Sequence, residues 1–237
     1  MTRLDMTASE WAHLIKPVLP HAGTDKQEPS LGVIRLEMGP GALYAVATDR
    51  YSLGAERWPC QDAGEQQPVH LRATEVKVAL GLFPAKDGDD PALRITIGEV
   101  AIPISLVGQP RSVRRLAVTI DGPDGTRIVM HDTRDPSADP LAPWRKQLLA
   151  ALTRQQGSHL DGLNLRADYM TRWTAAAGRG ERLALYTGPG PRDPLLILVE
   201  HHFAGLWMLP AYLDGPGKQL TETPWQQELT LQLAGQH

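Results

Sequence analysis

Three times along this chain the same order of local signals recurs: a short strand, a helix with one apolar face, then a run of strands joined by tight turns. That order constrains the fold more than any composition does. Hairpin-joined strands do not supply the long crossovers that parallel strands need, so the expected class is α+β, with helices laid on antiparallel sheets. The first repeat opens on a helix predicted over 7–19. Thr7 and Glu10 have the capping-box spacing that satisfies free backbone donors. Trp11, Leu14, Ile15, Val18 and Leu19 then share one face, and Pro17 tightens the last turn. A hairpin follows over 32–38 and 42–48 around Gly39-Pro40-Gly41. Its first strand alternates Val33, Arg35 and Glu37 with Ile34, Leu36 and Met38, so one face is expected in the core and the other in water. A further strand is predicted over 52–58.

The second repeat has a strand at 69–71 and a helix over 72–83 that turns Val76, Ala79, Leu80 and Phe83 inward. Two hairpins follow: 93–97 with 100–106 around Gly98-Glu99, and 115–120 with 126–131 around residues 121–125. The stretch 132–143 is rich in Asp and Pro and reads as a boundary. A helix over 144–153 precedes the third repeat, which has a strand end at 163–165, a helix over 166–177, a strand at 182–186 and a closing hairpin, 195–200 with 203–209. Two helices open alike, Arg72-Ala73-Thr74 and Arg166-Ala167-Asp168. Identity between repeats is otherwise negligible, so the repetition is one of architecture. The expected division is a domain over 1–135, a compact or partial second over 136–213, and a polar tail over 214–237 without structure.

Twenty-two glycines and twenty prolines suit many turns and short elements. Cys60 is the only cysteine, which excludes an internal disulfide and a cysteine-built zinc site; a reducing compartment, the cytoplasm, is expected. No apolar run is long enough to span a membrane, and the N-terminus has no signal core. The net charge of −3 argues against a protein that coats nucleic acid, so any contact with DNA would come from a local patch. His201 and His202 are neighbours that point apart and make a poor metal site. Asp49 reads as a turn-capping carboxylate. Gly188-Pro189-Gly190-Pro191 lacks the Gly-Lys-Ser/Thr ending of a phosphate loop. No catalytic constellation emerges, so neither enzyme activity nor a cofactor or metal is expected.

Two stretches carry a resemblance. Leu43-Tyr44-Ala45-Val46-Ala47-Thr48-Asp49-Arg50-Tyr51-Ser52-Leu53-Gly54 resembles the middle domain of the bacterial DNA polymerase III beta subunit, the sliding clamp. Leu163-Asn164-Leu165-Arg166-Ala167-Asp168-Tyr169 is similar to the entry to the last clamp helix. The stretch Val199 through Met208-Leu209-Pro210 is similar to the terminal clamp strand. Order and separation suit a shortened clamp without its first domain. The resemblance implies a processivity role in DNA replication. It implies a hydrophobic groove that takes clamp-binding peptides of polymerase or repair proteins, with one wall at Thr48, Arg50, Tyr51 and Leu53 and the other at Met208, Leu209, Pro210 and Ala211. Tyr51 and Trp207 would add aromatic surface. It also implies a helix face toward double-stranded DNA, read without sequence specificity, bearing Lys16, Arg72, Lys77, Arg145, Lys146, Arg166, Arg172 and Arg179. A chain of this length would close a ring only as a higher homo-oligomer; otherwise it would act as an adaptor that competes with a full clamp for its partners.

Overall fold

The computed structural model describes residues 1–39, 41–60, 67–85, 88–106, 109–133, 139–153, 167–178, 180–188 and 193–208. The first repeat is β1 (Thr2–Thr7), α1 (Ala8–Ile15), β2 (Val33–Gly39), β3 (Ala42–Thr48) and β4 (Ser52–Pro59). The second is β5 (Val69–Arg72), α2 (Ala73–Leu82), β6 (Ala92–Leu106), β7 (Gln109–Asp121) and β8 (Arg127–His131). Helix α3 (Trp144–Thr153) precedes α4 (Ala167–Thr174), β9 (Leu183–Tyr186), β10 (Leu195–Val199) and β11 (Phe203–Trp207).

Each repeat lends its opening strand to the other. β1 joins the second repeat in a sheet of order β1-β6-β7-β8, and β5 joins the first beside β2. Neither repeat can therefore close its sheet alone. The third repeat docks edge to edge: β11 pairs antiparallel with β4, giving the order β5-β2-β3-β4-β11-β10-β9. Strands from either side of the boundary expected near residue 135 thus hydrogen-bond in one sheet. The tail 214–237 lies outside the described residues.

The capping box at the start of α1 forms as the spacing predicts. Thr7 Oγ1 accepts from the Glu10 amide at 3.2 Å, and Glu10 Oε2 accepts from the Thr7 amide at 2.7 Å. The helix stops at Ile15, because Pro17 has no amide to continue the ladder. α1, α2 and α4 share one apolar core with the inner faces of both sheets, anchored by the buried Trp11, Trp173 and Trp207.

Three expectations are corrected. The six residues of β1 pair along β6 from Thr2↔Ile97 to Thr7↔Ala92, where no strand was expected. β6 runs straight through Gly98-Glu99, which is no turn; Met1 packs against Gly98, where a side chain would crowd it at 3.1 Å. The wet face of β2 is covered instead. Leu141 and Trp144 pack on that face with Val33 and Val46, and Arg35 keeps only 7% exposure.

A polar network holds this cover in place. Arg35 Nε donates to Glu37 at 2.7 Å, and its guanidinium also pairs with Asp139. Trp144 Nε1 donates to Glu37 at 3.0 Å and Arg145 Nε at 2.9 Å. Burial pushes the Glu37 carboxyl up, but these three donors outweigh it and hold it below the usual range. Arg145 also lies over the Tyr44 ring, 4.5 Å from its centroid.

Candidate functional site

The face of the seven-stranded sheet remote from α1, α2 and α4 holds a cavity of about 410 Å³. Its floor is one register row across five strands. Thr48 of β3 lies opposite Leu53 of β4, Leu53 opposite Leu206 of β11, Leu206 opposite Leu196 of β10, and Leu196 opposite Tyr186 of β9. All five residues line the cavity. At ~4.8 Å per strand the row is roughly 19 Å long. α3 supplies a wall through Gln147, Ala150 and Ala151, and Arg50 and Met208 stand at the rim. Cavities of this size and lining suit a few apolar side chains with polar groups at the edge.

The turn between β3 and β4 is braced from several sides. Asp49 Oδ1 accepts from the amides of Tyr51 and Ser52 at 3.0 and 2.7 Å and from Ser52 Oγ at 2.9 Å. Thr48 Oγ1 donates to the Ser52 carbonyl at 2.7 Å. Arg50 sits in the left-handed region at φ 75°. From α4, Arg172 pairs with Asp49 and donates to Ser52 Oγ at 3.0 Å. His21 Nδ1 lies 3.1 Å from the same hydroxyl. Burial above all, then Arg172, pushes the His21 pKa down to about 3, so it stays neutral. The Met208 amide donates to the Tyr51 carbonyl at 2.7 Å, tying the two rims together.

Of the groove residues expected from sequence, Thr48, Arg50, Leu53 and Met208 meet around this cavity. Tyr51 is 53% exposed and does not line it. Leu209, Pro210 and Ala211 lie outside the described residues. Trp207 is core rather than groove: it faces the other side of the sheet, its ring centroid 6.4 Å from that of Trp173. The α3 wall and the β9–β10 side of the floor were not expected. No local signal marks them, since their place depends on where α3 lands.

The residues expected to face DNA do not form one surface. Lys16, Arg72 and Lys77 are exposed on or beside α1 and α2. Arg172 is turned into the Asp49 turn, with its side chain 27% exposed. Arg145 and Lys146 belong to α3, on the opposite face of the sheet, and Arg145 is engaged by Glu37. Arg166 and Arg179 lie outside the described residues. His202 contacts Glu56 at 3.0 Å and Glu181 at 3.3 Å, and no metal-binding group of three such residues occurs among the described residues.

No family model and no curated protein matches the chain. Solved structures do. A candidate DNA polymerase III beta subunit from Eubacterium rectale superposes with a TM-score of 0.60 at 9% identity, covering 88% of this chain and 65% of that one. The beta subunit of Thermotoga maritima gives 0.56 at 12% identity, with coverages of 88% and 65%. The Bacillus subtilis sliding clamp gives 0.54 at 13% identity, covering 87% of this chain and 63% of its own. The chain therefore has the clamp fold in shortened form and spans a little under two-thirds of these proteins. No helix among the described residues is long and apolar enough to cross a membrane.

Proposed function

We propose that this protein is a shortened clamp-fold adaptor that holds a short apolar peptide segment of a replication or repair protein in the cavity over Leu53, Leu206 and Leu196. The observation that carries this reading is the register row. It joins residues of the first and third repeats into one apolar floor, with Met208, 44% exposed, at its edge. An apolar cavity with an exposed Met208 and polar groups at its rim suits recognition of a peptide in one register. The reading treats 1–135 as a full clamp-like domain and 136–213 as a compact second one, and it assigns no catalysis.

The adaptor is preferred over a ring around DNA for a specific reason. The helix face that would meet the duplex exposes Val78 and Leu82, at 56% and 47%, beside Lys77. Apolar side chains there gain nothing from phosphates. The test uses a fluorescein-labelled clamp-binding peptide of a replicative polymerase, read by anisotropy. The wild-type chain binds it. Ala151→Trp, which fills the cavity from α3, and Met208→Glu each weaken binding at least tenfold without lowering the melting temperature. Equal binding by Ala151→Trp would remove the groove from the proposal. Light scattering that finds a closed oligomer at working concentration would favour the ring.

A further inference from the structure

Past β11 the chain leaves the described residues at the rim of its own cavity. Met208 lines that cavity, and its amide donates to the Tyr51 carbonyl at 2.7 Å, so residues 209–237 start from a fixed point beside the apolar row. The sequence that follows is not uniformly polar. Leu229, Leu231 and Leu233 alternate with Thr230 and Gln232. An extended backbone puts the three leucines on one side, and four steps of about 3.3 Å set them over roughly 13 Å. The row from Thr48 to Tyr186 is roughly 19 Å long, so it takes all three.

Reach and charge point to the same occupant. Twenty residues, 209–228, separate Met208 from Leu229. A flexible stretch of that length has a root-mean-square span of about 25 Å, enough to lay the leucines anywhere along the row. A tether matched to its span holds its end at an effective concentration of about 1 mM. A second copy of the chain at micromolar concentration offers the same leucines about a thousandfold more dilute, so the chain's own segment has the advantage. Glu228 precedes the first leucine. Arg50, with its side chain 66% exposed, stands at the Thr48 end of the row and pairs with Glu28 at the surface, a contact that water makes easy to exchange. Glu228 is drawn to that end, which runs the leucines from Leu53 toward Tyr186.

We infer that residues 229–233 of this chain occupy its own cavity over Leu53, Leu206 and Leu196, and that a partner peptide must displace them. The inference rests on the reading of that cavity as a peptide site and adds an internal competitor to it. With a Kd of about 0.1 mM for the untethered segment, the tether fills the cavity about ten times as often as it leaves it empty, and weakens an external peptide about tenfold.

The test uses the full chain in a Cys60→Ser background, with Gln147→Cys on the α3 wall of the cavity and Gln232→Cys between two of the leucines. Oxidation of a dilute sample should give a disulfide within one chain, read as a fast-migrating monomer on a non-reducing gel. Leu229→Ser, Leu231→Ser and Leu233→Ser together should reduce that cross-link by about fivefold or more, with far-ultraviolet circular dichroism showing the fold unchanged. In the chain with its natural cysteine and glutamines, the same three serines should tighten the fluorescein-labelled clamp-binding peptide about tenfold. The inference is overturned if the cross-link forms equally well with the serines, since a tether alone then accounts for it. It is overturned too if the disulfide joins two chains, or if wild type and serine variant bind the labelled peptide with the same measured affinity. The two readings fail separately. A labelled peptide that binds neither chain removes the external partner, and the leucine dependence of the cross-link then decides the internal one.

Discussion

Replacing Gly205 by alanine places a methyl group 2.3 Å from the Trp173 indole and 3.0 Å from the Leu53 carbonyl oxygen. Neither neighbour can yield easily. Leu53 lies on β4, and its carbonyl belongs to the backbone of the β4–β11 seam. Trp173 is fully buried, with His21 at 4.4 Å between ring centroids, Phe203 at 6.2 Å and Trp207 at 6.4 Å. Overpacking of a dense core costs about 1–3 kcal/mol, and a site crowded by a fully buried ring and by sheet backbone belongs at the upper end. In a chain of this size each kcal/mol moves the melting temperature by about 2–4 °C, so Gly205→Ala should melt roughly 4–12 °C lower. Trp173→Leu opens the space the methyl needs. In that background the same Gly205→Ala change should cost about 1 kcal/mol or less, a coupling measurable by a double-mutant cycle in urea. An unchanged melting temperature for Gly205→Ala, or an equal cost in both backgrounds, would refute the docking of α4 onto β11.

Between about pH 4.5 and 8, stability should depend on pH mainly through three groups. Burial raises the Glu56 carboxyl to about 7, although the hydrogen bond from His202 opposes it. Burial works against a charged His202, but Glu56 and then Glu181 outweigh it and hold its pKa above the usual value. In both cases the folded state keeps a proton that the unfolded chain has released, so stability falls as pH rises: from about 4.5 to 7 for Glu56, and above 6.5 for His202. His21, depressed to about 3, has the opposite sign, because the unfolded chain takes a proton below 6.5 that the folded one refuses. The melting temperature should therefore be flat between about pH 4.5 and 6.5 and fall on either side. Glu56→Gln should flatten the alkaline fall, and a wild-type melting temperature still climbing from pH 6.5 to 8 would contradict this. Arg50→Gly relieves a left-handed residue and should raise stability by about 1 kcal/mol in urea, since the exposed pair with Glu28 that it removes contributes little. Glu37→Ala leaves the nearly buried Arg35 with Asp139 as its remaining carboxylate and releases Trp144 and Arg145; it should destabilise the chain by roughly 3 kcal/mol and speed amide exchange in α3, and unchanged exchange there would show that the network does not hold the helix.

Local signals carried much of the architecture. The strand predicted at 42–48 and the helix at 144–153 have the bounds of β3 and α3. The capping box found α1 because both partners lie within one turn. β1 was missed although Leu4 and Met6 are buried and Arg3 and Asp5 are not; six residues give an alternation too short to stand out. Gly98 read as a turn because a glycine required by close approach looks the same as one required by a bend. For the site, likeness of sequence supplied Thr48 and Leu53, but not the row they belong to, since Leu53 meets Leu206 across about 150 residues of chain. Helical spacing puts Arg172 on the outward face with the other charges, whereas the structure turns it to Asp49, a partner 123 residues away that no local pattern marks.

The position of α3 was the decisive unknown, and the cavity follows from its length. The outer face of the seven-stranded sheet is apolar from Val33 across to Leu196, so it needs a cover. α3 has ten residues and is about 15 Å long, against a register row of roughly 19 Å. Its N-terminal end is fixed over β2 and β3 by Trp144, Arg145 and Glu37. Toward its C-terminal end it presents the small side chains of Ala150 and Ala151 to the row. A helix anchored at that end, and tapering to alanine at the other, leaves a cavity over Leu53, Leu206 and Leu196, themselves only 2–6% exposed, which is why the apolar slot lies over the seam between the first and third repeats.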